Sequence, residues 1–239
     1  MSEIRALNEK VVPTTLSTVL TLAGVTLTRL GRGKALWIGG LFAALPVAYA
    51  IGVHARHVAP SPDDLFKISL LLLALLPAMY VGASIGEEIE DRTSTYLWSR
   101  PIARWAVLAG KLCALTPLVI ALVVGGWYAG IRIWTDAAPT AMSCAALAAG
   151  CVAASLIAAG IATVVPKHGM ALTIGYMLVD LFIGALPFSL NQLSITNQAN
   201  VLANLGGSPS GLVTPVIAMV VMSGLWAAVG FERIRRLEA

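Results

Sequence analysis

Apolar residues in this chain gather into six long runs, each bounded by a short polar stretch. The runs lie at about 35–53, 65–85, 105–130, 140–164, 170–188 and 211–230. Each approaches the roughly 20 apolar residues a helix needs to cross a bilayer core. The pattern predicts an all-α membrane protein with a single transmembrane domain of six helices over 35–230. An N-terminal segment over 1–34 precedes it and a short tail over 231–239 follows. Pro46, Pro77, Pro117 and Pro187 each fall inside a run and are expected to kink their helices. The fourth run is built of Ala, Gly and Ser, which let helix backbones approach closely and mark it as a packing span.

Two further stretches break the pattern in informative ways. Between 14 and 30, Leu16, Val19, Leu20, Ala23, Leu27 and Leu30 recur at helical spacing, with Thr and Ser on much of the opposite face. Pro13 with Thr14 or Thr15 suits a helix start, and Arg29, Arg32 and Lys34 close the segment. This is an amphipathic helix that either lies along the membrane interface or packs on the protein's own cytoplasmic face. The stretch 189–210 carries no charge but contains Asn191, Gln192, Asn197, Gln198, Asn200 and Asn204 among aliphatic residues. It reads equally as an ordinary external loop or as a re-entrant segment whose amides are satisfied by protein or cavity water.

Composition agrees with a lipid-facing fold. The 239 residues are 58% hydrophobic and 12% charged, half the charge of an average soluble domain (roughly 25%), and the mean hydropathy is +0.83. The first 35 residues are too polar for a cleavable signal peptide. Cys113, Cys144 and Cys151 all lie in apolar runs, which offers neither a disulfide framework nor a zinc spacing.

The basic residues give an orientation. Of the 16 Lys and Arg, thirteen fall on the termini or in the stretches after the second and fourth spans. Only Arg56, Lys67 and Arg132 fall on the other side. By the positive-inside rule both termini are cytoplasmic. Trp37, Trp98 and Trp105 then belong to the inner aromatic belt, and Tyr49, Trp127, Tyr128 and Trp134 to the outer one. Lys111, a few residues into the third span, is expected to snorkel to the inner headgroups.

The densest charge lies over 86–111, GEEIEDRTSTYLWSRPIARWAVLAGK. Glu87, Glu88, Glu90 and Asp91 are expected to open a short helix, where the dipole favours carboxylates, with Arg100 near its end. Glu88 and Arg92 stand in the favourable i,i+4 order. Ile89, Thr93, Tyr96 and Leu97 share a face, and Pro101 stops the helix and opens the next one. On charge alone this is a solvated loop anchoring the membrane edge.

The order of its parts resembles the cytoplasmic segment between the second and third spans of ABC transporter permeases of type 2, the exporter-like family. The matching residues are Glu87, Glu88, Glu90, Thr93, Leu97, Pro101, Arg104 and Lys111. Family members often carry a small residue before the Thr, where this chain has Arg92. The resemblance implies a coupling helix over 87–100 that docks on an ABC ATPase subunit. Its contacts would be Glu87, Glu88, Glu90, Asp91, Arg92, Thr93, Tyr96, Leu97, Arg100, Pro101 and Arg104. It further implies a second permease copy or close relative, short re-entrant helices before the last span, and a place in the bacterial cytoplasmic membrane. ATP and Mg would be bound by the ATPase, with no cofactor held by this chain and no nucleic acid among its partners.

Other motifs carry less. Asp180 is the only acid deep within an expected span. It either lines a translocation path or is hydrogen-bonded to a nearby Ser, Thr or Tyr176 for assembly. Gly82-Ala83-Ser84-Ile85-Gly86 matches a nucleophile elbow, with His168 on the same side, but closes a membrane helix instead of joining strand to helix. His54 and His57 lack a further ligand at metal spacing. The Gly-Lys pairs at 33–34 and 110–111 are followed by Ala and Leu and form no P-loop. The expected function is an exporter permease subunit without enzymatic activity of its own. The alternative is a polytopic scaffold that recruits a cytoplasmic protein through the same helix.

Overall fold

In the computed structural model the described residues are 15–57, 62–90, 104–135, 140–186, 189–204 and 211–236. Helix dominates them and no strand occurs among them. Five helices are long and apolar enough to cross a membrane: Ala35–Ala55, Pro62–Glu90, Trp105–Trp134, Ala141–Val164 and Val213–Arg236.

The amphipathic segment forms α1 (Thr15–Arg32), but its apolar stripe is divided. Val19 is buried where α1 crosses Gly110 of the third span, whereas Leu16, Leu20 and Leu27 stay exposed. The first span is two helices, α2 (Ala35–Ala43) and α3 (Leu45–Ala55), with Pro46 in the first turn of α3. Proline lacks the N–H that would continue the helix, and its ring is accepted where a new helix begins. The second span comprises α4 (Pro62–Pro77), a π turn (Ala78–Gly82) and α5 (Ala83–Glu90). The π turn follows Pro77, the usual kind of position for such a defect. By contrast α6 (Arg104–Thr135) runs unbroken through Pro117. Pro187 lies outside the described residues.

The packing span is α7 (Ala141–Val164). It touches α4, α6 and all three helical segments that follow it. Most of its second half is buried, including Ala154, Ser155, Ile157, Ala158 and Ala162. Its small residues do what the sequence predicts. A Cβ at Gly160 would sit 2.5 Å from the Trp226 carbonyl oxygen, so only glycine lets α7 and the last helix, α10 (Val213–Arg236), approach this closely. Of the aromatic belts, Trp37 and Trp105 are exposed. Trp127 and Trp134 are instead buried edge-on against Phe66 and Tyr49.

The expected fifth span, 170–188, is shorter than the sequence predicts. It is α8 (Gly169–Gly184), 16 residues long or about 24 Å, below the roughly 30 Å of a hydrocarbon core. A Cβ at Gly184 would lie 2.7 Å from the Ser194 hydroxyl, so the chain turns back here against its own following segment. A 3₁₀ turn (Ser189–Leu193) and α9 (Ile195–Asn204) follow. α9 packs into the bundle, with Ala199 against Gly150 of α7, so this stretch is not a free loop.

The close crossing at Gly160 gives a test. Alanine is the better helix former by about 1 kcal/mol, yet Gly160→Ala is expected to lower stability by about 1–3 kcal/mol, because the obstacle is backbone. Gly175→Ala, which meets nothing within 4 Å, should be neutral or stabilising. Thermal unfolding in detergent compares the two, and equal effects would contradict the packing described.

Candidate functional site

The charged ends of several helices meet at one end of the bundle. Val81, Ile85 and Leu108 form a small apolar cluster there, with Ala23 and Leu30 of α1 and Phe231 and Ile234 of α10 packed around it. Glu87, Glu88 and Glu90 do not open a helix: they lie within α5, which begins at Ala83 and continues the second span. An acid that is part-buried here needs a counter-charge. Glu87 and Glu90 are exposed to solvent. Glu88 is part-buried, and its carboxylate lies 2.9 Å from the Lys111 ammonium.

Lys111 is 4% exposed and does not snorkel. It stands on the face of α6 that meets α5, where it donates both to Glu88 and to the Ser84 carbonyl oxygen. Burial takes water away from the ammonium, and the Glu88 carboxylate and the Ser84 carbonyl stand in for it. The result ties the foot of the second span to the third. Asp91, Arg92, Thr93, Tyr96, Leu97, Arg100 and Pro101 lie outside the described residues. Arg104 opens α6, and its side chain lies outside them as well. The expected coupling helix is therefore described only as far as Glu90.

Two cavities flank α5. One, of about 440 Å³, is lined by Thr26, Arg29, Tyr80, Ser84, Glu87 and Glu88, among others. The second, of about 330 Å³, includes Glu87, Glu90, Lys167 and His168. Between them Gly86 lets the Pro166 carbonyl approach: a Cβ there would stand 2.6 Å from it. Ser84 of the elbow-like motif sits in α5 directly after the π turn, a helical context unlike a nucleophile elbow. His54 and His57 are both exposed near the end of α3.

Asp180 lies at the opposite end of α8 from these cavities, and its surroundings are specific. One carboxylate oxygen accepts the Ile195 N–H at 2.9 Å. The other accepts the Thr196 N–H at 3.0 Å and the Thr196 hydroxyl at 2.7 Å, with the Ser194 hydroxyl at 3.1 Å. These are the free N–H groups of the first turn of α9, so an acid on one helix caps the start of another. Asp180 is 6% exposed and also borders a cavity of about 200 Å³ with Tyr176, Leu190, Leu193 and Met222. Tyr176 packs edge-on against Trp226 and is not among these hydrogen-bond partners. Ser194 and Thr196 were not singled out by sequence, although a Ser just before a helical run is a capping signal. Tyr80 was missed too. Its hydroxyl donates to the Ala35 carbonyl at 3.0 Å, and Gly39 makes room for the ring. No protein-family model matches the chain, and no curated protein matches it.

Two substitutions test these contacts. Lys111→Met takes the ammonium away from the part-buried Glu88 carboxylate and is expected to cost about 3–5 kcal/mol, whereas adding Glu88→Gln should recover most of that loss. Unfolding midpoints of the two single variants and the double variant give the coupling, and additive effects would exclude the pair. Asp180→Asn replaces an acceptor oxygen by a donor facing N–H groups, with an expected loss of about 1–3 kcal/mol. Faster amide exchange confined to 195–198 would register it, and unchanged exchange would deny the cap.

Proposed function

We propose that this chain is the membrane-spanning permease subunit of an ABC exporter, driven by a separate ATPase subunit that docks on the charged segment after α5. The observation that carries the reading is the Glu88–Lys111 pair. It anchors both ends of the segment 91–103 on adjacent spans, so a partner gripping that segment would move two spans together. Glu87 and Glu90, exposed beside it, are the acids left to meet a basic groove on the partner.

In this reading α8 is a sixth, shortened span, and both termini face the cytoplasm of a bacterial inner membrane. Its outward residues Leu178, Val179 and Phe182 are exposed and apolar, as a lipid-facing helix requires. The 3₁₀ turn and α9 would then re-enter the membrane and make up its missing length. Two of their amides find acceptors within the segment: Asn197 donates to the Asn191 carbonyl and Gln198 to the Gln192 carbonyl. A second copy, or a close relative, would complete the translocation path, and ATP with Mg would bind to the ATPase.

Copurification decides between this reading and a scaffold. Isolated from its native membrane in mild detergent, the chain is expected to bring an ATPase with it. Glu87→Lys with Glu90→Lys should reduce that association at least about tenfold, in line with a few lost charge pairs. Absence of an ATPase, or indifference to the reversals, would leave the scaffold. In a cysteine-free background, single cysteines at Thr28 and Arg236 should label from the same side, as six spans require, and labelling from opposite sides would remove α8 as a span.

A further inference from the structure

The 440 Å³ cavity beside α5 sets Glu87, an acid of the coupling reading, in one lining with Arg29, which that reading leaves unused. Its volume falls within the roughly 300–1,000 Å³ of small-molecule sites. It opens between the last turns of α1, the turn at 33–35 and the π turn with α5. One wall is apolar, formed by Leu30, Met79 and Leu115, and the other carries Arg29, Glu87 and Glu88. Glu88 is engaged by Lys111, which balances that pair. Arg29 and Glu87 are left, both exposed and neither ion-paired with another described residue.

A purely anionic ligand would meet two carboxylates here, and a purely cationic one would meet Arg29 with Lys111 close behind. A dipolar ligand satisfies both signs of charge. We infer that the cavity binds the headgroup of an amine-bearing phospholipid, with its phosphate on the Arg29 guanidinium, its ammonium on the Glu87 carboxylate and its glycerol end along Leu30, Met79 and Leu115. Guanidinium matches phosphate with paired N–H donors. A primary ammonium donates hydrogen bonds to a carboxylate, which a quaternary ammonium cannot do. The lipid itself is the source of this chemistry because α1 beside the cavity carries an exposed apolar face of Leu16, Leu20 and Leu27. A helix with such a face and with Arg29 and Arg32 in its last turn suits the headgroup boundary. The inference needs only that the chain resides in a bilayer and does not depend on an ATPase partner.

Native mass spectrometry of the full chain in mild detergent provides the test. Phosphatidylethanolamine, phosphatidylcholine and phosphatidylglycerol of matched acyl chains are supplied in equal amounts. Phosphatidylethanolamine is expected to be retained over the other two. Arg29→Gln and Glu87→Gln should each lower its retention about tenfold, the weight of one charge-assisted hydrogen bond. Both positions are exposed, and an unchanged unfolding midpoint confirms that each variant is folded. Equal retention of the three lipids, or a preference that survives both substitutions, overturns the inference. A parallel arm offers soluble phosphoethanolamine to delipidated protein. Saturable binding of it with the same dependence on Arg29 and Glu87 overturns the lipid as the source, and no binding supports it.

Discussion

A charged side chain buried inside this bundle has to find its partner within the protein, because neither lipid nor the apolar core can supply one. Two side chains show how the constraint is met. Lys111 is buried against Glu88 and the Ser84 carbonyl, and Asp180 is buried against the first turn of α9. In each case the charge completes an irregular stretch of chain: the foot of the second span in one, the turn after α8 in the other. Neither charge is without a partner. Each fixes a segment that the apolar pattern alone leaves without a position.

The same constraint explains the glycines. Helices in lipid gain little from burying apolar surface against one another and depend on close packing instead. Three glycines in three different helices each face a carbonyl oxygen of a neighbouring segment. Gly86 of α5 faces Pro166, Gly126 of α6 faces Ala43, and Gly160 of α7 faces Trp226. The contact at Ala43 coincides with the break between α2 and α3. The contact at Pro166 seats the turn between α7 and α8 against the acidic end of α5. Close approach therefore sets where irregular parts of the chain lie, and Gly86 and Pro166 line the 330 Å³ cavity.

Much of this was legible in the sequence because apolar run length and small-residue content report directly on span position and packing. The first, second, third, fourth and last spans fall where the runs predict, and α7 is the packing span. Run length failed at α8. Apolar residues continue to Leu186, but the helix ends at Gly184, where Ser194 of the returning chain occupies the space of a Cβ. Dipole reasoning failed at Glu87–Glu90 for a related reason. Acids do favour helix starts, but here the span itself runs on through Glu87–Glu90, and a lysine 23 positions from Glu88 pairs with it. A tertiary partner of that kind leaves no local signal. Lys111 read alone looks like a snorkelling residue, and only the facing helix shows otherwise. Asp180 stood out correctly as unusual, yet its neighbours Ser194 and Thr196 lie across a turn that apolar periodicity cannot see.

The π turn at Ala78–Gly82 and the Lys111 pair become one device when taken together. The π turn interrupts the regular i to i−4 ladder, so α5 is joined to α4 by the least regular part of the second span. Beyond it, α5 is held by side-chain and close-packing contacts: Glu88 to Lys111 on one flank and Gly86 to Pro166 on the other. If a partner loads the segment 91–103, which joins α5 directly to α6, the ion pair holds those two helices together and the glycine contact couples α5 to the α7–α8 turn. The load does not have to travel up the straight part of α4. A buried ion pair suits that task better than an apolar contact of the same size. Its attraction is directional and its separation is costly, so the two helices respond as one piece.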